Sequence, residues 1–198
     1  MKTIIIATNN KNKVREIKSI FKNPNIEFKT LSEMGYDKDI IEDGLSFKEN
    51  AIIKAKAVSK EYNMIAISDD SGLEIEALNW EPGIYSARWA GTHNDDDNNR
   101  LLVEKLKNIE NRTARYTCAI CVYYPNDEVL TVEDYCYGRI IDEPKGENGF
   151  GYDPYFFIDE FNATFAEVSL EKKNTISHRA KALRALKELL NEDFSIIR

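Results

Sequence analysis

The chain has 198 residues, 42% of them hydrophobic and 31% charged, enough apolar material for one folded domain spanning residues 1–198 and too much for a disordered chain. Its net charge of −7 argues against the broad basic surface of a nucleic-acid-binding protein, though not against a local nest of lysines around a small anion. The three cysteines, Cys118, Cys121 and Cys136, are too few and odd in number for a disulfide framework.

The N-terminal segment has an apolar run far shorter than a signal-peptide core, and no run reaches membrane-spanning length, so a reducing cytoplasm and no membrane partner are expected. Residues 4–7 read as a short buried strand, followed by the polar loop 8–12 and a helix whose apolar face is Val14, Ile17 and Phe21. Residues 26–31 form a second expected strand, and an acidic loop then runs through Gly44. Ser46 and Glu49 make a capping box that opens a helix to about Tyr62, with Ala51, Ala55, Val58 and Tyr62 as its buried stripe. Residues 64–68 read as another strand, running into Asp69-Asp70-Ser71-Gly72. Leu73, Ile75 and Ala77 then alternate as a strand does; adjacent positions on a regular strand point apart, so Asp69 and Asp70 are expected to use a bend at Gly72 to serve one site.

Pro82-Gly83 marks a loop, and residues 98–109 read as a helix. Asp95, Asp96 and Asp97, which precede it, are explained by capping and by the helix dipole rather than by a metal. Residues 115–124 and 129–137 flank Pro125-Asn126-Asp127 as an antiparallel hairpin. Cys118 and Cys121 lie within its first strand, where positions three apart face opposite sides, so they read as buried thiols rather than a metal or redox pair. A glycine-rich loop, residues 146–151, leads to a strand at 155–158. The last helix is expected from about Thr175 to Leu190, with Ile176, Ala180, Leu183, Leu186 and Leu190 turned inward. Helical crossovers early and a hairpin late give an α/β domain with a mixed sheet.

Four places break the local rules. Thr8-Asn9-Asn10-Lys11-Asn12-Lys13 follows a buried strand and opens a helix, and Lys11, Lys13 and Arg15 crowd the helix end at which the dipole disfavours cations. A bound phosphate resolves that conflict, and a solvated basic cap is the plainer account. Asp69 and Asp70 close a strand at its C-terminal end, where α/β sheets present ligands, although aspartates also stabilise turns. Lys54 lies one to two turns into the helix that Ser46 opens, and Glu42 lies just before that helix. Finally, Phe150-Gly151-Tyr152-Asp153-Pro154 offers aromatics able to stack on a flat base, and Lys173, Ser177, His178 and Arg179 offer donors near the start of the last helix. A histidine in that position is also a common way to finish a helix end.

Taken in order, Thr8-x-Asn10-x-x-Lys13, Glu42 with Lys54, Asp69-Asp70-Ser71-Gly72, Phe150-Gly151-Tyr152-Asp153-Pro154 and Ser177-His178-Arg179 resemble the inosine triphosphate pyrophosphatase family, also called XTP/dITP diphosphatases. The likeness spans nearly the whole chain, including residues 82–88. Asn9 and Asn12 stand where many relatives carry glycine. The resemblance implies an elongated α/β fold with a mixed central sheet and flanking helices, two lobes around a central cleft, and a homodimer. It implies Mg²⁺ as cofactor, a purine nucleoside triphosphate (ITP, dITP or XTP) as substrate, and monophosphate and pyrophosphate as products. Residue by residue, it implies Glu42, Asp69 and Asp70 at the metal, with Asp70 also the catalytic proton acceptor. It places Thr8, Asn9, Asn10, Lys11, Asn12, Lys13, Lys54 and Ser71 on the phosphates, and Phe150, Gly151, Tyr152, Asp153, Lys173, His178 and Arg179 on the base.

Such chemistry needs a water activated near the α-phosphorus and a neutralised pyrophosphate leaving group. Base choice follows from polarity, since donors such as Arg179 meet the 6-oxygen of hypoxanthine or xanthine but not the amino group of adenine. Two alternatives are a Maf-type nucleotide pyrophosphatase, against which Ser177-His178-Arg179 argues, and a non-catalytic nucleotide-binding module. The module has no use for three carboxylates beside a triphosphate.

Overall fold

The computed structural model describes residues 2–190. Seven strands form one mixed sheet in the order β2-β1-β3-β4-β5-β6-β7. The strands are β1 (Lys2–Ile6), β2 (Ile26–Thr30), β3 (Ile65–Ile75), β4 (Thr113–Tyr123), β5 (Val129–Ile140), β6 (Phe156–Ile158) and β7 (Ala163–Thr164). The helices are α1 (Lys11–Ile20), α2 (Phe47–Tyr62), α3 (Asp95–Lys105), α4 (Leu170–Ile176) and α5 (His178–Leu189). β1 pairs in parallel with β2 and β3, while β5–β6 and β6–β7 are antiparallel. Ile4, Ile5 and Ile6 are fully buried, as a parallel strand flanked on both edges requires.

The chain divides into two compact units. Of the described residues, one holds 2–70, 118–134 and 179–190, and the other holds 71–117 and 135–178. β3, β4 and β5 each run from one unit into the other. The first unit has a core of Ile4, Ile6, Ile17, Ile65, Ile67, Ile120, Val122, Leu183 and Leu186. The second packs Leu73, Ile75, Leu102, Tyr116, Tyr152, Phe156 and Phe165.

Local signals hold at the helix starts. Asn10 caps α1, its Oδ1 accepting from the Asn12 and Lys13 N–H groups. Ser46 caps α2 by accepting from the Glu49 N–H, and the Glu49 carboxylate reaches back to the Leu45 N–H, one residue beyond the expected partner. Four expectations shift. β3 runs unbroken from Ile65 to Ile75, so there is no bend at Gly72, and Ala77 falls in a 3-10 turn at Glu76–Leu78. α3 begins at Asp95 because Asn94, not the aspartates, is the cap. The expected last helix is two, interrupted at Ser177, whose extended backbone (φ −62°, ψ 148°) ends α4 before α5 begins. Tyr62 is only half-buried, because its hydroxyl turns out of the stripe to donate to the Met34 carbonyl.

Candidate active site

Strand regularity decides the first unit's chemistry. Successive side chains of an unbroken strand point to opposite faces, so Asp69 and Asp70 meet different partners. Asp69, fully buried, lies 3.1 Å from Lys13 Nζ and accepts from Arg179 Nε at 3.1 Å. The other side of the Arg179 guanidinium binds the Glu16 carboxylate, which is itself buried. α1, β3 and α5 are thus joined by alternating charges. Burial pushes the Asp69 carboxyl upward, but Lys13, Arg179 and Lys54 together outweigh it and hold the group well below the usual carboxylate range.

Asp70 faces α2. Its Oδ1 accepts from Lys54 Nζ at 2.8 Å, and Asn50 Nδ2 lies 3.4 Å from its Oδ2. Glu42 accepts from the same ammonium at 2.7 Å. Burial raises the Asp70 carboxyl above its ordinary range despite the opposing pull of Lys54 and Lys13. Burial works against the charged form of Lys54, yet Asp70 and Glu42 more than offset it and raise that group.

Two hard oxygen donors, from Glu42 and Asp70, therefore converge on a point that already holds a cationic group. Among the described residues, no three acidic, histidine or cysteine groups stand close enough to hold a metal ion by themselves. Magnesium is commonly held by one or two carboxylates together with substrate phosphates and waters, and the Glu42–Asp70 pair fits that donor set. Asp69 is turned from this pair toward Lys13 and Arg179.

In the phosphate-loop segment, Thr8 Oγ1 accepts from the Asn10 N–H at 3.2 Å. Asn10 and Lys13 are half-buried, Asn9 and Lys11 are exposed, and Arg15 points to solvent. Of the three cations expected at this helix end, only Lys13 turns toward Asp69. Ser71 follows Asp70 on β3 and is half-buried in the second unit.

The second unit holds the remaining aromatic and basic residues. The Asp153 carboxylate accepts from the Phe150 N–H at 3.0 Å and from Lys173 Nζ at 2.7 Å. Lys173 Nζ lies over the rings of Phe150 and Phe165, at 5.3 and 5.1 Å from their centroids. The loop turns through positive φ at Gly146, Gly149 and Gly151. At Gly149 a Cβ would stand 2.0 Å from Asp153 Oδ2, so that position admits only glycine without displacing the carboxylate. The Gly151 N–H donates to Asp95 and its carbonyl accepts from Asn99, which ties α3 to the loop.

Two residues assigned to the base side are held by other partners in this structure. Tyr152 is 4% exposed, belongs to the unit's core, and donates its hydroxyl to the Ser86 carbonyl at 2.7 Å. The Arg179 side chain is 2% exposed and held by Glu16 and Asp69, because a guanidinium so buried requires charged partners. Phe150 is the half-exposed aromatic of the loop, and His178 is buried. Sequence reasoning missed Asn50 and Glu16. Each is a polar residue on the inner face of a helix; Asn50 accepts from the nearby Gly44 N–H at 2.9 Å, but its contact with Asp70, like that of Glu16 with Arg179, joins residues far apart in sequence.

The three cysteines are buried and free. Burial pushes the Cys121 thiol up to about 12 and the Cys118 thiol higher still.

The Ham1 family model matches residues 4–189. A protein of Bacillus subtilis named dITP/XTP pyrophosphatase is 48% identical over 96% of this chain and 98% of its own length. One of the same name from Clostridium perfringens is 46% identical over 96% and 98%. Among solved structures, the Staphylococcus aureus Ham1 protein matches with a TM-score of 0.88 at 43% identity, covering 96% of this chain and 98% of that one. A HAM1 protein from Coxiella burnetii matches with a TM-score of 0.89 at 38% identity, covering 97% and 100%.

Proposed function

The chain belongs to the Ham1 family, and on that premise we propose that it hydrolyses non-standard purine nucleoside triphosphates (dITP, ITP and XTP) to the monophosphate and pyrophosphate. The observation that carries the reading is 48% identity, over nearly the full length of both chains, to a protein named for cleaving dITP and XTP.

The first unit supplies the phosphate chemistry. Lys13 and Lys54 offset the charge that grows on the leaving pyrophosphate, and Thr8 and Asn10 are the hydroxyl and amide groups assigned to the phosphate oxygens. Asp70 takes the proton of the attacking water. A carboxylate raised above its ordinary range by burial is a better proton acceptor at neutral pH than an exposed one. Glu42 and Asp70 are the residues that would hold Mg²⁺. The ion, when bound with the substrate, polarises phosphoryl oxygens and neutralises their charge. Asp69 keeps Lys13 and Arg179 in place.

In the second unit, Phe150 supplies a stacking face, and Lys173 and His178 are the donors for a 6-oxo purine. Adenine, with an amino group at that position, leaves such donors facing donors, and an unpaired buried polar group is costly.

The same reading includes a homodimer in the cytoplasm. Supporting the dimer is an aromatic surface on the second unit, where Tyr137 is 61% and Trp80 37% exposed. There the Arg115 guanidinium is sandwiched 4.4 Å from the Trp80 ring and 4.6 Å from the Tyr135 ring. Aromatic residues and arginine are enriched in such interfaces. Free, buried cysteines support the reducing compartment.

The deciding experiment measures pyrophosphate release from dITP, ITP, XTP, GTP, ATP and dTTP, with and without Mg²⁺. Strong release from the first three alone, abolished by chelation, is expected. Equal release from ATP, or orthophosphate as the product, would sink the proposal.

A further inference from the structure

We propose that Tyr116 is a positioning residue that fixes the plane of the His178 imidazole and so sets base selectivity. The inference rests on the base-reading role given above to His178.

Tyr116 lies on β4 and is 8% exposed. Its ring is nearly parallel to the His178 imidazole, with centroids 4.7 Å apart and planes 10° apart. Phe165 continues the stack on Tyr116, at 6.2 Å and 15°. Phe156 closes the side of the column, tilted 59° to Tyr116 at 4.6 Å and 44° to Phe165 at 5.2 Å. Lys173 Nζ then sits 5.1 Å over Phe165 and 5.3 Å over Phe150. His178, Tyr116, Phe165 and the Lys173 ammonium thus form one run of contacts inside the second unit.

The backbone alone does not supply this order. His178 opens α5 directly after the break at Ser177, whose N–H donates to the Lys173 carbonyl at 3.0 Å. That bond fixes where the histidine begins, but the χ2 torsion of an imidazole is broad and leaves the ring plane undetermined. A flat neighbour at stacking distance removes the freedom, since tilting the ring drives it into the neighbour's face. Reading a purine edge depends on donor direction, so a histidine free to tilt still binds but discriminates less. Tyr116 touches none of the reacting atoms in this reading and acts through His178.

The test uses Tyr116→Leu and Tyr116→Phe in the full chain, with Tyr116→Met in place of the leucine variant if that one fails to fold. The chain has two histidines, and His93 is exposed, so the carbon-bound imidazole proton of His178 is identified by elimination in a proton–carbon correlation spectrum. In the wild type this signal is displaced by the Tyr116 ring current. Tyr116→Leu returns it toward the exposed-histidine position, and Tyr116→Phe leaves it in place. In parallel, the ratio of kcat/KM for dITP over dATP falls by roughly tenfold in Tyr116→Leu, the worth of one directed hydrogen bond. Most of the fall is in KM for dITP, and Tyr116→Phe restores the ratio. In a His178→Ala background, Tyr116→Leu lowers the ratio no further. An unmoved His178 signal, an unchanged ratio in Tyr116→Leu, or a phenylalanine variant as poor as leucine overturns the proposal. If His178→Ala itself leaves the ratio unchanged, the base-reading role fails. If His178→Ala lowers it and Tyr116→Leu does not, only the positioning role fails.

Discussion

Arg179→Met separates a buried clamp from a ligand-binding arginine. In the structure Arg179 is 2% exposed and lies between Asp69, fully buried, and Glu16, 3% exposed. Removing the guanidinium leaves Asp69 with Lys13 but takes from Glu16 the cation that pairs with it in this network. Losing one partner of a buried pair costs about 3–5 kcal/mol, against roughly 0–1 kcal/mol for an exposed one. In a chain of this size that corresponds to a fall in Tm of roughly 10 °C. The sign of the pH dependence follows from Asp69, whose folded pKa is depressed because its cations outweigh burial. A depressed carboxylate contributes stability above its unfolded pKa of about 3.9, and that contribution is lost as pH falls through the folded value. In Arg179→Met, Asp69 loses one of the cations that depress it and takes up a proton more readily. The deficit is therefore full at neutral pH and narrows as pH falls toward and below the unfolded value of about 3.9. Urea unfolding of both proteins across this range, with m-values compared, measures it. A loss below about 1 kcal/mol, flat with pH, would show that the guanidinium is not clamped and would restore it as a ligand for substrate.

Three further outcomes follow from the geometry. Asp70→Asn keeps Tm within a few degrees and lowers turnover on dITP by on the order of a hundredfold or more, and near-normal turnover in the folded variant removes Asp70 from the mechanism. Gly149→Ala places a Cβ 2.0 Å from Asp153 Oδ2 at a φ of +77°. It should cost about 1–3 kcal/mol and raise KM for dITP as the Phe150 N–H loses its acceptor, whereas normal stability with normal KM refutes the clamp on that loop. Iodoacetamide at about pH 8 leaves Cys118, Cys121 and Cys136 unmodified in the native protein and alkylates all three in denaturant, because burial keeps the two β4 thiols protonated; rapid native labelling at any of them contradicts the packing.

What the sequence revealed and what it concealed divide along physical lines. Ile4–Ile6, the Ser46–Glu49 pair and the turn after Tyr124 carry their structure locally, through burial periodicity, capping and turn chemistry, and each stands where those signals put it. Asp69-Asp70-Ser71-Gly72 carries a misleading local signal, since aspartate, serine and glycine are poor strand residues. Tertiary pairing overrides it, because β3 lies between β1 and β4 and every backbone group in that position has a sheet partner to gain. The break at Ser177 was hidden for a different reason. Ile176, Ala180 and Leu183 keep a continuous helical period across it, so hydrophobic spacing cannot register a single residue that leaves the helix and returns. The Arg179–Glu16 and Arg179–Asp69 pairs join positions 163 and 110 residues apart, and no local pattern encodes such a match.

The unbroken strand also explains why this acidic chain can carry two adjacent aspartates with opposite duties. On a bend both carboxylates would share one environment, their charges would repel, and one would be forced to protonate. On a strand the alternation separates them to opposite faces. Asp69 meets Lys13 and Arg179 and is held ionised below its ordinary range. Asp70 meets the single ammonium of Lys54, which Glu42 shares, and burial lifts it above that range. The first is locked into a network that fixes α1 and α5 against β3, and the second is left able to exchange a proton. A one-residue slip of β3 against β1 would interchange those environments, so the register Ile4↔Ile65, Ile6↔Ile67 determines which aspartate meets Lys13 and Arg179 and which meets Lys54.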